Sequence, residues 1–292
     1  GVQTCALPIC NLSFVSRFQG LLYSDLKFRD QEYLNLKAGF PESTFEIALL
    51  ASLIDDGSGS TYFNPDIKIS REIALLPNGG AVSVDYTGYV VLLPGGSGDF
   101  FHQGAYALYR ADPSISFGYE MSAGGSWEYF YEQPVYLKTG ATPGNRHDFV
   151  LDITGTLDGF AGYFTEWAVT SGVSWRVSNA TLMNGADFFD HFQDRLQAAI
   201  GGMVFTSPHQ SWTIEGALSA EGVRYLSRPA RDVDGIYGDE KLALLEISGT
   251  GRLEWSPDQQ IYLSLDAGFG YTVSNDPFVG GWYARCALQL TL

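Results

Sequence analysis

Trp282-Tyr283-Ala284-Arg285-Cys286-Ala287-Leu288-Gln289-Leu290-Thr291-Leu292 separates cleanly by polarity at alternate positions. One side reads Trp282, Ala284, Cys286, Leu288, Leu290 and Leu292; the other reads Tyr283, Arg285, Ala287, Gln289 and Thr291. A period of two is that of a β-strand with one apolar and one polar face.

Working back from that stretch, the pattern recurs. Residues 260–273 set Leu263, Leu265, Ala267, Phe269 and Tyr271 against Ser264, Asp266, Gly268, Gly270 and Thr272. Residues 241–255 set Leu245, Ile247, Leu253 and Trp255 against Glu246, Ser248, Thr250, Arg252 and Glu254. Residues 147–157 set Phe149, Leu151 and Ile153 against Asp148, Asp152 and Thr154. Residues 44–54 set Phe45, Ile47, Leu49, Ala51 and Leu53 against Glu46, Ala48 and Ser52. The stretch 61–76 breaks the rule by turning Arg71 to the apolar side. A charge there costs about 2–4 kcal/mol at a bilayer midplane, so a β-bulge or a place near the rim is expected.

Turn residues punctuate these stretches in two alternating sets. The short set is Pro41-Glu42, Pro77 to Gly80, Asp112-Pro113, Asp158 to Phe160, Ser207 to Gln210 and Ser256 to Asp258. The longer, more acidic set covers 23–31, 55–60, 94–99, 124–147, 178–190, 227–240 and 274–279. Strict alternation of tight turns and longer loops describes an up-and-down antiparallel meander. Six turns and seven loops require fourteen strands, with twelve as the alternative, since the first strand (12–22) and the 124–147 loop, where Trp127 to Leu137 could form a hairpin above the membrane, are the less regular parts of the pattern.

Composition says which side of such a sheet faces water. Charged residues are 17% of the 292, below the ~25% usual for soluble domains, while apolar residues make 45% and aromatics 14%. No apolar run reaches the ~18 residues of a spanning helix. A closed all-β barrel is the other way to satisfy every backbone group inside a bilayer. A sheet of this many strands closes on a bore too wide for side chains to fill. Its polar face therefore lines water and its apolar face meets lipid, the reverse of a soluble sandwich. Aromatics gather near strand ends, as two interfacial girdles would have them: Phe40, Phe45, Trp212 and Trp255 at the short turns, Trp175 and Trp282 toward the loops.

A net charge of −16 and a pI near 4.5 argue against nucleic acid as a partner. Cys5, Cys10 and Cys286 show no metal-ligand spacing, and no cofactor is implied. Residues 1–10 (GVQTCALPIC) read as a non-native or truncated N-terminal segment, leaving 11–292 as one barrel domain.

Over roughly 12–292 the chain resembles bacterial outer-membrane β-barrels of the small monomeric channel or porin-like kind. The resemblance rests on architecture and on the amphipathic final strand. It implies a Gram-negative outer-membrane location, contact with outer-membrane lipid and lipopolysaccharide, and assembly by the barrel-insertion machinery. Such barrels usually end on an aromatic residue; here Leu292 stands in that place.

The expected bore-facing residues lean acidic. Glu46, Asp66, Glu72, Asp85, Glu120, Asp148, Asp152, Glu166, Glu215, Glu221, Glu246, Glu254 and Asp266 face Arg17, Lys37, Lys68, Arg252 and Arg285. Excess fixed negative charge in a narrow water path concentrates cations, so a mildly cation-selective channel for small polar solutes or ions is expected. The same groups could simply brace the wall as cross-strand pairs. Residues 124–147, carrying Trp127, Tyr129, Phe130, Tyr131 and Tyr136, are the expected constriction or lid, or else a hairpin stacked above the membrane.

Two other classes compete. A barrel-embedded hydrolase would use Asp55-Asp56 or Asp190-His191, but neighbours on a strand point opposite ways, and G-x-S-x-G and H-E-x-x-H are absent. His102, His147, His191 and His209 lack a recognisable nucleophile partner, so no enzyme is expected. A surface anchor or adhesin would act through acidic loops such as Asp187, Asp190 and Asp194, or Asp232, Asp234, Asp239 and Glu240, which could chelate divalent ions between lipopolysaccharide headgroups.

Overall fold

Alternating β-branched and aromatic side chains give strand after strand, and tight turns leave each one no neighbour but the next. The computed structural model describes the backbone of residues 11–22, 28–39, 45–55, 61–76, 79–92, 99–114, 116–184, 187–257 and 262–291. Side chains are described for 67, 69–76, 79–92, 99–114, 116–184, 187–257 and 262–289. The reading of residues 1–10 lies outside these.

The strands are β1 (Asn11–Leu22), β2 (Phe28–Gly39), β3 (Phe45–Asp55), β4 (Thr61–Leu75), β5 (Ala81–Val91), β6 (Phe100–Ser114), β7 (Phe117–Val135) and β8 (Gly144–Phe160). Then come β9 (Thr165–Ser178), β10 (Leu182–Asn184), β11 (Asp187–Phe189), β12 (Arg195–His209), β13 (Trp212–Arg231), β14 (Tyr237–Trp255), β15 (Tyr262–Ser274) and β16 (Gly281–Thr291). Fourteen of them form one antiparallel sheet in chain order; β10 and β11 form a separate hairpin between β9 and β12. The up-and-down meander and its strand number agree with the alternation of turns and loops. β1 and β16 end the ladder. An open edge in lipid would leave a row of unsatisfied N–H and C=O groups, so the two ends must meet.

Register fixes which residues share a face. Asp148, Asp152 and Thr154 align with Glu128, Gly124 and Ser122 on β7 and with Ser178, Ser174 and Gly172 on β9. The alternate set is apolar and open: Phe149, Leu151 and Ile153 are 54–61% exposed, and Leu265, Phe269, Tyr271, Ile247 and Leu288 are exposed as well. Large apolar side chains on one whole face of a sheet, exposed rather than packed into a core, are a lipid-facing surface. Asp266 and Glu246 lie on the other face. Leu290, though aligned with Leu263, has no described side chain.

Two bands of rings mark the membrane limits. At the short-turn end Trp212 lies opposite Trp255 with ring centroids 6.1 Å apart, and Phe117 approaches Trp167 at 6.5 Å. At the other end Trp127 packs on Phe101 at 6.0 Å, beside exposed Trp175. Phe117 and Trp127 share the outer face of β7. Ten residues at ~3.3 Å rise and ~40° tilt separate them by about 25 Å, the height of a barrel's apolar band. Phe40 lies outside the described residues.

Arg71 is exposed on the outer side, opposite Phe45 at the first residue of β3, and the β4–β5 register shifts between Glu72 and Ala74. Both escapes from the midplane are therefore used.

The loop boundaries need correcting. Residues 124–147 are mostly wall: β7 continues to Val135 and β8 starts at Gly144. Likewise β13 runs to Arg231 and β14 starts at Tyr237, so the expected loop 227–240 shrinks to 232–236. Above the bilayer both faces of a strand meet water, so the ladder continues there without an apolar face to announce it.

Candidate functional site

The polar face of β5 to β9 carries a charged cluster just above the outer ring band. Asp148 is fully buried and is the hub. Arg146 Nε donates to its Oδ1 at 3.0 Å, Arg146 Nη2 and Arg176 Nη1 donate to its Oδ2, and the Ser178 hydroxyl donates to its Oδ1. Arg176 Nη1 also donates to Glu128 Oε2 at 2.7 Å, and Arg146 Nη1 to Gln133 Oε1 at 3.0 Å. Phe130 supports the Arg146 guanidinium from 4.2 Å. His102 stacks on Tyr89 with centroids 4.4 Å apart and its Nδ1 3.5 Å from Glu128 Oε1. Buried charges persist only when paired and hydrogen-bonded in this way.

Below this cluster Tyr106 lies flat on the wall over Gly124. A Cβ on Gly124 would meet Ala105 O at 2.3 Å and the Tyr106 ring at 2.5 Å, so the glycine is what lets the ring lie down.

Two smaller ionic groups sit nearer the short turns. Arg252 Nε donates to Asp266 Oδ1 at 2.6 Å and lies 3.7 Å from Glu254, while Ser264 donates to Asp266 at 2.9 Å. Arg110 is held among Asp112, Glu120 and Asp158 at 3.2–3.6 Å.

The remaining expected bore residues divide differently. Asp152, Glu166, Glu215 and Glu246 are on the polar face and make no ion pair among the described residues. Glu221, directly opposite Glu246, makes none either. Asp85 accepts from Ser70, and Arg285 lies alongside Gly268 on the same face. Glu46, Asp66 and Lys68 hold register positions opposite Ser70, Tyr89 and Thr87; their side chains, with those of Arg17 and Lys37, lie outside the described ones.

The expected constriction residues are elsewhere than expected. Trp127 and Tyr129 share the outer, lipid-side parity of Met121. Tyr131, on β7, stacks edge-on to Tyr129 at 5.5 Å, so it belongs to the wall, while Tyr136 lies in the short loop between β7 and β8. Aromatic side chains favour strands, and here they extend one. The residues that do lie against the polar side are 179–184 and 187–194. Phe192 is 8% exposed, and the Arg228 guanidinium lies 4.9 Å from Phe192 and 5.2 Å from Tyr225, a polar-face residue buried beside Val223 and Leu242. Phe189 meets Tyr237 at 4.9 Å. Backbone ties hold them: Leu226 N donates to Asp194 O, His147 N to Asn179 Oδ1 and Tyr136 N to Thr181 Oγ1. Phe188, Phe189 and Phe192 in an otherwise polar loop were the available sequence signal.

The histidines are occupied by structural contacts. His147 Nδ1 meets Asn179 Nδ2 at 3.0 Å, and His209 Nδ1 accepts from Ser211 N in a short turn. His191 departs from the strand-based reading. It sits in a bend at φ 53°, its Nδ1 donates to Ser178 O at 2.7 Å, and its Nε2 lies 4.0 Å from Asp190. A bend does not obey strand alternation, so the two side chains need not diverge, yet they form no hydrogen bond at that distance.

In the acidic loops, Asp232 Oδ1 accepts from Asp234 N and Ile236 N, and buried Asp276 accepts from Arg231 Nε at 2.9 Å. Burial works to raise the Asp276 pKa. The hydrogen bonds from Arg231 and from the Phe278 and Arg231 amides outweigh it and hold the carboxyl below its ordinary range. Asp56 lies outside the described residues.

No family model and no curated protein matches the sequence. Among solved structures the chain is similar to OmpTdeltaL8, a loop L8 deletion mutant of OmpT, an outer membrane protein of Vibrio cholerae. The identity is 9%, the match covers 96% of this chain and 99% of that one, and the TM-score is 0.49. With an apolar face open to lipid, a polar face of charges and hydroxyls, and fourteen strands in sequence order, the chain is an outer-membrane β-barrel.

Proposed function

We propose that the barrel gives passive passage to small polar solutes and ions, with a preference for cations. One observation carries the reading: on the polar wall more acids than bases stand without an ion-pair partner among the described residues, the bases being Arg195 and Arg285. Arg110, Arg146, Arg176 and Arg252 are each held by carboxylates. Asp152, Glu166, Glu215, Glu221 and Glu246 have no ion-pair partner among the described residues. The facing Glu221 and Glu246 repel each other unless a mobile cation stands between them. Residues 187–194, seated against Tyr225 and Arg228, narrow the mouth. Lipid, lipopolysaccharide and the barrel-insertion machinery are the partners such a wall and location require.

Planar-bilayer recording under a KCl gradient tests this. A reversal potential of the sign set by K⁺ permeation is expected. Anion preference would overturn the selectivity, and a silent membrane carrying folded protein would overturn the channel itself.

A further inference from the structure

The polar wall loses its charge between two rungs of β13 and β14. Glu221 faces Glu246 above, and Glu215 faces Arg252 below. Between them is a hollow of about 270 Å³ with no ionisable side chain in its lining. Thr170, Ser219, Ser248 and Thr250 supply hydroxyls, Gly201 supplies the floor, and Met203 stands among them. Met203 is 44% exposed although its register, opposite Ala217 and Ala168, puts it on the polar side. Ser219 and Ser248 hydroxyls meet at 2.7 Å, and either can donate.

This composition selects a solute. A fully apolar guest would strip water from four hydroxyls without replacing it. An ion would lose hydration and find no opposite charge in that lining, Arg285 standing in the wider hollow that adjoins it. A guest with hydroxyls round its edge and C–H groups on its face satisfies both halves. The rotatable hydroxyl pair can turn to accept or donate, and the thioether offers a soft apolar contact. The volume is near the lower end for small-ligand sites. We propose that this hollow is a binding subsite for an uncharged polyhydroxylated ring, such as a monosaccharide. The proposal rests on the channel reading above and names one solute class for it.

The test is single-channel recording of the full chain in KCl with D-glucose or gluconate added. Glucose is expected to interrupt the ion current in a concentration-dependent way, and gluconate much less. Ser219→Ala with Ser248→Ala should weaken the glucose effect about tenfold, since each lost hydrogen bond contributes a part of one decade. Met203→Thr, which keeps the polar wall intact, should weaken it as well. An ion current that glucose leaves steady, or that gluconate interrupts equally, overturns the subsite and leaves the channel standing. Interruptions of equal strength in wild type and both variants place glucose elsewhere and also overturn it. Absence of any ion current overturns both.

Discussion

Asp148 shows how much one side chain carries. It is wholly buried yet charged, and two guanidiniums and a hydroxyl converge on it. Replacing it with Ala strands Arg146 and Arg176 with part of their donors unmet. Breaking a buried pair from one side costs about 3–5 kcal/mol. Asp148→Ala is expected to lower the urea midpoint of the folded barrel clearly, whereas Asp152→Asn, which breaks no ion pair, should hardly move it. Equal midpoints for Asp148→Ala and wild type would contradict this role. Asp276 offers a pH test with a definite sign. Its folded pKa is depressed, so its contribution to loop order is complete above the ordinary carboxyl value near 3.9 and is lost only as pH falls below that, through the lowered folded value. Pepsin should therefore leave 275–281 intact near pH 4 and cut it progressively in stronger acid. Cleavage already at pH 4, equal to that of Asp276→Asn, would contradict the pairing.

At the scale of elements, the spanning strands were the legible part. Their apolar and polar faces see different solvents, so the alternation is written residue by residue, as in Leu263, Leu265, Ala267 and Phe269 against Ser264, Asp266, Gly268 and Gly270. The strand extensions were not legible. Past Trp127 both sides of β7 meet water, and Glu128 to Val135 read as polar loop. The segment that carries Phe192 was hidden for a related reason: Phe192 acquires meaning only when Arg228 and Tyr225, far along the chain, come round to cover it. The ion hub was half visible. Asp148 stood out by strand parity, but Glu128 and Arg176 join it through a register that no single strand encodes. Deleting 182–189 or introducing Phe192→Ala should release the segment from the wall. A core Phe→Ala change costs about 3–5 kcal/mol, enough to unseat a loop. Single-channel conductance should rise in both variants; a value no higher than wild type would put the narrowing elsewhere.

For the whole molecule, the apolar groups are outside and the charges inside, and a water-filled path through the barrel depends on that inversion. Met203 and the ion hub matter only if the face they share holds water, and Leu151, Ile153 and Phe269 are tolerable exposed only if lipid covers them. Adjacent positions on one strand put the question most sharply. Ile153 is 61% exposed on the outer face, and Asp152 belongs to the polar face one residue away. Nitroxide labels on single cysteines at these two sites, in a background without the native cysteines, can be compared in bilayers by collision with oxygen and with a water-soluble nickel chelate. The label at 153 is expected to meet oxygen and avoid nickel, and the label at 152 the reverse. Nickel access at 153 together with a dry, oxygen-rich site at 152 would turn the barrel inside out and contradict the channel.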